Sequence, residues 1–330
     1  MNRIFVTGAN GFIGSKLVEK LISMDNYVSV LVKKSCYDAN NNLSVFEGDI
    51  LNTNTILDAI KGCDTLFHCA AYISFQKKDF RKAYDINVLG TRNVLEAAYR
   101  ANIKKIVHLS ACAVLGYSDK YDTNIDENAN PIISKDNVYA YTKRLAEEEA
   151  LNYAAKGLNV SIANIATVYG SGDLKLNSGA IIKSILKGKM LFVPPGGTSF
   201  VGIDDLIEGL ILLSKRGRIG ERYIFCTENM SYDILVSRIA KALGVTGPKL
   251  KLPRLFYFPA ILAGKVFELF SGSDESRVNL ITSMIVKETF GYKYYNPKKA
   301  IEELGWKPIQ TLEEAVAKAF LYYRDKGLMQ

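Results

Sequence analysis

The chain has 330 residues, of which 48% are hydrophobic, and its mean hydropathy is close to zero. A chain of this length can bury a large core, and we expect two closely joined domains. Its 42 Lys and Arg against 34 Asp and Glu give a formal charge of +8, spread along the sequence without a basic block, which argues against a nucleic-acid partner. An anionic small substrate, a phosphorylated cofactor or a solubilising surface is compatible with this charge.

The sequence carries few signals for other classes of protein. We find no targeting segment before the first predicted strand and no apolar run near the roughly 20 residues that span a bilayer, so we expect a cytoplasmic protein without a membrane span. The five cysteines form no C-x-x-C pair, and their odd number argues against a disulfide scaffold. His68 and His108 each lie near a predicted strand end; we expect both to be buried and predict no metal site.

Short β-rich runs alternate with helical patterns along the chain. This alternation predicts an α/β fold, a doubly wound parallel sheet of the Rossmann type with helices on both faces. The predicted strands cover residues 3–7, 27–32, 43–47, 65–69, 105–109 and 159–164. Ligands of such sheets bind beyond the carboxyl ends of the strands. The residues that fall there are Gly8, Lys33, Asp49, Ala70 and Ser110.

The first strand leads directly into the sequence TGANGFIG at 7–14, and a helical pattern follows. Gly8 permits a tight turn, Gly11 lets the backbone approach a phosphate group, and Gly14 lets the helix pack closely on the sheet. The free N–H groups of a helix N-terminus favour an anion. A glycine triplet alone is a weak signal, but its position between strand and helix predicts a dinucleotide site.

The end of the second strand bears on the choice of cofactor. An acidic residue there binds the adenosine ribose of NAD(H), whereas a basic residue pairs with the 2′-phosphate of NADP(H). Lys33 and Lys34 occupy this position, and the first carboxylate is Asp38. The sequence therefore favours NADP(H), with NAD(H) as the alternative; an exposed lysine pair that only contacts solvent is the structural alternative.

Tyr139 and Lys143 lie four residues apart at the start of a predicted helix at 139–153, so both project from one face. An ammonium group near a phenol lowers the pKa of the phenol, which would allow the pair to transfer a proton. The spacing alone is common, and a solvated helix face with one buried ring is the alternative. Tyr141, which has Leu145 at the fourth position, lacks the pair.

Together these motifs resemble the extended short-chain dehydrogenase/reductase family. TGANGFIG at 7–14, GDI at 48–50, HCAA at 68–71, NVLGT at 87–91, Tyr139 with Lys143, and VYG at 168–170 occur in the order and approximate spacing of that family. The resemblance implies a dinucleotide-binding domain at 1–170, to which 200–228 returns, and a substrate-binding domain at 171–199 and 229–330. It also suggests a homodimer that associates through two helices of each subunit.

The resemblance implies a role for individual residues. The implied cofactor contacts are Gly8, Asn10, Gly11, Phe12, Ile13, Gly14, Lys33, Asp49, Ile50, Cys69, Ala70, Ala71, Asn87, Lys143 and Ile165. Asp49 would contact the adenine, Lys143 the nicotinamide ribose, and Asn87 would help to shape the active site, although the sequence alone favours a satisfied helix-interior residue at 87. By family position only, Ser178, Lys183 and Phe200 are candidate substrate contacts.

The strand that should carry a catalytic serine departs from the family pattern. Aligned on Gly116, the sequence LSACAVLG at 109–116 places Ala111 where the family has the serine that binds the substrate oxygen. Three alternatives follow. Ser110 binds the substrate oxygen after a shift in register, or Cys112 or substrate hydroxyls replace the missing donor, or the enzyme lacks this electrostatic stabilisation. Loss of one such donor costs about a hundred- to a thousandfold in rate. We expect Ser110 to point away, and retain it as the candidate catalytic serine beside Tyr139 and Lys143.

Two further regions bear on the substrate. Asn164 and Ile165 stand where the family often has Arg-Pro, a change that either alters the charge on the substrate side or only affects packing. Residues 255–270 are strongly apolar, and we predict first a packed amphipathic helix, with a membrane-surface or lipid-facing element as the alternative. If this segment lines the pocket, the substrate has an apolar body, as in the dihydroflavonol-reductase-like and steroid-dehydrogenase-like branch.

The sequence thus predicts an NADP(H)-dependent oxidoreductase that transfers a hydride to or from a small-molecule carbonyl or secondary alcohol, with Tyr139 exchanging the proton. A nucleotide-sugar epimerase or dehydratase with tightly held NAD(P) is the nearest alternative. A cofactor-binding protein of weak activity is the third hypothesis, motivated by Ala111.

Overall fold

A computed structural model of the protein describes residues 2–35, 37, 41–270 and 283–329, without the side chains of 267–270. Cys36 and Asp38 lie outside the described residues. The strands are β1 (Arg3–Thr7), β2 (Tyr27–Val32), β3 (Leu43–Glu47), β4 (Thr65–His68), β5 (Lys105–Ala111), β6 (Val160–Ile165), β7 (Thr167–Tyr169), β8 (Phe192–Val193), β9 (Gly197–Gly202), β10 (Arg222–Phe225), β11 (Glu228–Ser231) and β12 (Leu250–Lys251).

The α-helices are α1 (Phe12–Ser23), α2 (Thr53–Ile60), α3 (Phe80–Tyr84), α4 (Gly90–Arg100), α5 (Val138–Ala155), α6 (Gly179–Leu186), α7 (Ile203–Arg216), α8 (Tyr232–Leu243), α9 (Tyr257–Phe270), α10 (Ser283–Phe290), α11 (Lys298–Leu304) and α12 (Leu312–Asp325). A π-helical segment, Asp85–Leu89, joins α3 to α4. Short 3-10 turns cover Lys77–Asp79, Cys112–Leu115 and Arg254–Phe256.

Seven parallel strands form the main sheet in the order β10-β6-β5-β4-β1-β2-β3. The chain starts at β1 in the interior, winds outward to β3, and returns to build the other half from β4. This reversal places the carboxyl ends of β1 and β4 next to each other, the position at which such sheets bind ligands. The predicted doubly wound α/β fold is confirmed.

Apolar side chains cover both faces of the sheet. One core packs the sheet against α1 and α7 and includes Leu17, Val107 and Leu206; the other packs it against α2 and α4 and includes Ile56 and Leu95. Strands buried on both faces read as continuous apolar runs, which is why the sequence predicted them well. Strand β5 extends two residues beyond its predicted end because it continues to pair with β6.

The remaining elements form a second layer of structure around a third core. Strands β7, β9 and β11 make a small sheet, with β9 in the centre. Tyr169, Phe200, Leu235 and Val316 are buried in the core between this sheet and helices α6, α8 and α12. The domain boundaries given by the family resemblance stay a prediction.

Helix α9 differs from its prediction as a packed amphipathic helix. Phe258, Leu262 and Val266 are exposed on its outer face, where an amphipathic helix carries polar residues. Among the described residues, no helix combines the length and the apolar character that crossing a bilayer requires.

Candidate active site

The turn between β1 and α1 forms a cradle of glycines. Gly8 has a φ of +70°, and a Cβ atom there would lie 2.6 Å from the backbone nitrogen of Ala70. A Cβ atom at Gly14 would overlap the carbonyl oxygen of Gly8. Helix α1 begins at Phe12, directly after Gly11, and no described side chain caps its first N–H groups. These groups are therefore available to an anion, so the cradle fits the pyrophosphate of a dinucleotide.

Two other implied contacts flank this cradle. The Nδ2 atom of Asn10 donates a hydrogen bond of 2.8 Å to the carbonyl oxygen of Lys34, which joins the cradle to the loop after β2. Ile13 is half-buried and packs against the core between the sheet and α1. The side chain of Ile13 therefore helps to hold α1 on the sheet, and only its backbone is left to contact a cofactor.

Lys33 and Asp49 lie beyond the ends of β2 and β3 and form a salt bridge, with 2.8 Å between Nζ and Oδ2. Partial burial raises the pKa of Asp49. Hydrogen bonds from Lys33 and from the Leu51 N–H, together with the charge of the lysine, lower it by more, so the pKa of Asp49 lies below its ordinary value. The side chain of Lys33 is 67% exposed. An ion pair this exposed contributes little, so Lys33 can turn towards a phosphate.

Ile50 and the residues after β4 form the next part of the strand ends. Ile50 is buried, and its Cδ1 atom would lie 2.5 Å from a Cβ atom at Gly90. Cys69 is half-buried, Ala70 donates its N–H to the Thr7 hydroxyl at 3.4 Å, and Ala71 is exposed. Burial raises the pKa of Cys69 to about 12, which keeps this thiol neutral.

Asn87 lies in the π-helical segment and is almost fully buried. Its Nδ2 atom donates to the Tyr72 carbonyl oxygen at 2.9 Å and to the Thr142 hydroxyl at 3.0 Å, and its Oδ1 atom accepts the Tyr72 N–H at 2.7 Å. Asn87 therefore braces the loop after β4 against α5, as the sequence alone favours. A π-helical turn often marks a functional site, and the implied role of Asn87 in shaping the site stays a prediction.

Tyr139 is the second residue of α5 and is half-buried, with its ring edge-on to that of Phe75 at 5.9 Å between centroids. Burial, and to a lesser extent the nearby Cys112, raise the pKa of Tyr139 to about 12. The spacing with Lys143 predicted the opposite direction, and that prediction is wrong for this structure. Desolvation dominates, and no described residue hydrogen-bonds the phenol oxygen, so Tyr139 is protonated at neutral pH.

Lys143 lies one turn further along α5 and is almost fully buried. Its Nζ atom donates a hydrogen bond of 2.6 Å to the carbonyl oxygen of Leu109, near the end of β5. Burial lowers the pKa of Lys143 to about 8, although Glu147 and Cys69 oppose this shift. The structure therefore brings a desolvated ammonium group to the strand end that the sequence predicted for the site.

The end of β5 supplies no hydroxyl to Tyr139. Ser110 is buried, and its Oγ atom makes no hydrogen bond to any residue that the structure describes. Ala111 is the last residue of the strand and pairs in register with Ile165, while Ser110 pairs with Asn164. A buried hydroxyl without a partner agrees with the expectation that Ser110 points away, and which residue of this strand end acts stays a prediction. The Cys112 thiol is turned to the carbonyl oxygen of Asn164 at 3.3 Å.

Both histidines are buried in strands, as predicted, and their rings lie 5.4 Å apart. His68 bonds to the hydroxyls of Thr7 and Thr91, and burial, helped by the charge of Lys143, lowers its pKa to about 3. Burial also lowers the pKa of His108, and neither of its ring nitrogens has a hydrogen-bond partner among the described residues. Both rings are therefore neutral.

Sequence reasoning missed a buried ion pair behind Lys143. Glu147 is fully buried, and its two oxygens accept hydrogen bonds from Arg222 Nε at 2.8 Å and Asn164 Nδ2 at 2.7 Å. The available signal was the spacing: Glu147 follows Lys143 by four residues on the same helix face. Asn164 thus faces the core, which favours the packing alternative. Ile165 is likewise buried, at the end of β6.

A cleft of about 660 Å³ opens in front of Asn137, two residues before Tyr139, and Tyr139 itself is not among its lining residues. Phe75, whose ring contacts Tyr139, forms part of its wall with Tyr117, Ile133 and Met284, and Lys287 adds a positive charge. Asn137, the N-cap of α5, donates to Glu288 of α10 at 2.6 Å and so ties the helix of Tyr139 to the far wall. The lining of the cleft is therefore mixed: its apolar side chains are joined by polar and charged ones, which include Lys77, Lys78, Asp136, Lys287 and Glu288.

The three candidate substrate contacts lie outside this lining. The Ser178 hydroxyl donates to the Val168 carbonyl oxygen, and Lys183 Nζ donates to the carbonyl oxygen of Leu328 at 2.7 Å. Phe200 is buried in the third core. These contacts hold the fold together, and the candidate role of the three residues in substrate binding stays a prediction.

Residues 4–225 match the NAD dependent epimerase/dehydratase family. A protein of Synechocystis sp. named "Putative dihydroflavonol 4-reductase" is 30% identical over 99% of this chain and 96% of its own length. Sterol demethylase protein B of Methylococcus capsulatus is 28% identical over 98% of this chain and 99% of its own length. The crystal structure of gox2253 has a TM-score of 0.84 at 30% identity and covers 100% of both chains. These findings confirm the resemblance drawn from the motifs.

Proposed function

This chain belongs to the NAD-dependent epimerase/dehydratase family and is an NAD(P)-dependent enzyme, and we propose that it is an NADP(H)-dependent oxidoreductase that interconverts a carbonyl and a hydroxyl group. One observation carries this proposal. The ring of Tyr139 contacts Phe75 in the wall of the cleft, and Tyr139 lies one helical turn from the buried ammonium of Lys143, which reaches the same edge of the sheet as the glycine cradle.

The cofactor would lie along this edge. The cradle from Gly8 to Gly14 would bind the pyrophosphate, Lys33 the 2′-phosphate and Asp49 the adenine side. Residues 69–71 and Ile165 would border the nicotinamide half, and Lys143 would bind its ribose. When bound, such a dinucleotide donates or accepts a hydride.

The protonation state of Tyr139 favours reduction. A phenol whose pKa is raised to about 12 carries its proton at neutral pH and can donate it to the oxygen of a carbonyl that becomes an alcohol. The reverse reaction needs the phenolate, which burial disfavours. No hydroxyl from β5 assists Tyr139, because Ala111 has none and the Ser110 hydroxyl is buried. We therefore expect a kcat that is lower by about a hundred- to a thousandfold than that of an enzyme with this hydroxyl.

The preference for NADP(H) is supported by the position of Lys33. A lysine at the end of the second strand is suited to a phosphate, and no described carboxylate except Asp49 pairs with it. A phosphate with two negative charges competes well against one exposed carboxylate, since the pair with Asp49 is largely solvated.

The substrate is proposed to have an apolar body. Phe75, Ile133 and Met284 give the cleft an apolar part, and the ring of Phe75 contacts Tyr139. Two relatives are named for a dihydroflavonol and a sterol, and the apolar part of the cleft would accept a ring system of that kind. The homodimer and the cytoplasmic location stay predictions.

The decisive experiment combines mass spectrometry of the purified protein with turnover assays. We expect the protein to oxidise NADPH in the presence of a dihydroflavonol or a 3-ketosteroid, with one alcohol formed for each NADPH consumed. Interconversion of UDP-glucose and UDP-galactose with retained cofactor and no net consumption of NADPH would make it an epimerase. Tight NADPH binding without turnover of either class of substrate would make it a cofactor-binding protein.

A further inference from the structure

An exposed apolar surface of the second layer follows the chain from β8 and β12 into α9. We call residues 187–192 and 249–266 the docking surface. Strand β12 pairs with β8, so that Leu250 lies beside Phe192, and both side chains are more than half exposed. Two residues after β12 the chain enters the 3-10 turn Arg254–Phe256, and α9 follows directly. The docking surface is therefore continuous.

Helix α9 is apolar on both of its faces. Its inner face packs on α10, where the rings of Tyr257 and Phe290 lie 5.3 Å apart. On the outer side Leu255 is 75% exposed, Phe258 77% and Leu262 63%. A surface helix of a globular protein carries polar residues on its outer face, whereas a helix that is apolar all round is buried in protein or lipid. We therefore expect the outer face of α9 to be covered by a binding partner.

The charges of the docking surface indicate which partner. Its sequence contains six Lys and Arg and no Asp or Glu. Lys187, Lys189, Lys249 and Lys265 are exposed. Lys251 pairs with Asp233 outside the surface, at 2.7 Å. Apolar side chains beside a cluster of cations are the pattern of an element that lies on an anionic membrane, because the apolar groups enter the interface and the cations meet the lipid phosphates.

We propose that the docking surface binds the face of an anionic phospholipid membrane. Phe258, Leu262 and Leu255 would enter the interfacial region, and the lysines around them would contact the headgroups. A second copy of this chain is disfavoured as the occupant, since two such surfaces would bring cations against cations. This inference is independent of the reaction proposed above.

Docking would set the cleft close to the membrane. Helix α10 lies directly beneath α9, and its Met284, Lys287 and Glu288 line the cleft. The cleft is therefore one helix layer away from the proposed membrane contact. An apolar substrate that partitions into lipid would reach it without crossing bulk water.

The test is sedimentation of the full-length protein with vesicles of phosphatidylcholine alone or of equimolar phosphatidylcholine and phosphatidylglycerol. We expect binding to the anionic vesicles, weaker binding to phosphatidylcholine, and a decrease with added salt. Phe258→Glu combined with Leu262→Glu should lower the partition coefficient at least about tenfold. Ile309→Glu, at a side chain that is 83% exposed elsewhere, is the matched control and should leave binding unchanged.

A second measurement reports insertion directly. The chain has one tryptophan, Trp306, and it is 1% exposed. Phe258→Trp should be quenched by brominated lipids in anionic vesicles, and Ile309→Trp should not. The proposal is overturned if the parent protein does not bind anionic vesicles, if the double variant binds like the parent, or if the Phe258→Trp signal is not quenched. It is also overturned if light scattering shows a dimer that only the double variant dissociates, which would make the surface an interface between copies.

Discussion

Two buried lysines lie at opposite ends of β5 and have different hydrogen-bond partners. Lys105 begins the strand, and its Nζ atom bonds to Asn159 Oδ1 at 3.1 Å, to Ser161 Oγ at 2.9 Å and to the Gly217 carbonyl oxygen. Lys143 faces the other end, and the one bond described for its Nζ atom goes to the Leu109 carbonyl oxygen. Burial lowers the pKa of both lysines to about 8.

The difference distinguishes the start of β5 at Lys105, which has a structural role, from the end near Lys143, which we call the chemical end because it belongs to the candidate active site. Around Lys105 the ammonium has three acceptors, as buried charges in a stable core require. Near Lys143 several buried atoms have no partner among the described residues, namely both ring nitrogens of His108, Ser110 Oγ and Asn164 Oδ1. Polar groups left unsatisfied in a core are costly, and such costs concentrate at functional sites.

The largest effect should come from the chemical end. We expect Tyr139→Phe to lower kcat about 10²- to 10⁴-fold, because the variant has no proton to give to the substrate oxygen. The dissociation constant of NADPH should stay nearly unchanged. Parallel measurement of both constants checks this, with Tyr141→Phe as the control that should change kcat little. An active Tyr139→Phe enzyme would exclude Tyr139 as the acid.

The two lysines can be compared directly by substitution with methionine. Lys105→Met leaves three acceptors, one buried and two part-buried, without this donor, at about 1 to 3 kcal/mol for a fully buried one, which outweighs the relief of one buried charge. It should therefore lower the free energy of unfolding by about 2 to 4 kcal/mol and leave kcat nearly intact. Lys143→Met should abolish turnover without loss of stability, or with a gain of up to about 2 kcal/mol at pH 7. Denaturant unfolding and kcat give both readouts.

The pH dependence of the Lys143→Met comparison follows from linkage. The pKa of Lys143 is lowered to about 8 in the folded protein, below its ordinary value, so the unfolded chain binds more protons between these two values. The stability of the parent should therefore rise over that range, and any advantage of Lys143→Met should shrink as the pH increases from 8. A constant difference from pH 7 to pH 10 would contradict this assignment.

A smaller effect is expected at the cofactor phosphate. Lys33→Asp should weaken NADPH binding by about 1 to 3 kcal/mol and NADH binding far less, because a charge-assisted contact with the 2′-phosphate is lost. Lys34→Asp, next to it, is the matched comparison. Calorimetric titration with both cofactors measures the difference, and equal losses for NADPH and NADH would exclude Lys33 as the phosphate ligand.

The smallest effect concerns the end of β5. Ala111→Ser should raise kcat, since it offers a hydroxyl at the position that the family pattern gives to the catalytic serine. Ser110→Ala should leave kcat nearly unchanged and alter mainly stability, because the Ser110 hydroxyl is buried without a partner. If Ser110→Ala instead costs about 3 to 4 kcal/mol of transition-state stabilisation, the register is shifted and Ser110 acts.

Local sequence determined much of the fold and part of the site. The first three strands begin and end where the sequence predicted, and for β1 and β2 the reason is that parallel strands covered on both faces need continuous apolar residues. Gly8 and Gly14 could be assigned from the sequence because a turn from strand to helix fixes its own backbone conformation. The shared face of Tyr139 and Lys143 is likewise local, since it follows from the helical period.

The tertiary structure decided what depends on residues far apart in the chain. Desolvation by the surrounding protein raises the pKa of Tyr139, whereas the spacing with Lys143 suggested the reverse. Arg222 reaches Glu147 only because β10 closes the sheet beside β6, which no spacing along the chain encodes. Similarly, the apolar pattern of α9 does not reveal that one of its faces stays exposed. Burial, charge pairing and exposure are sums over neighbours in space, so sequence order alone could not provide them.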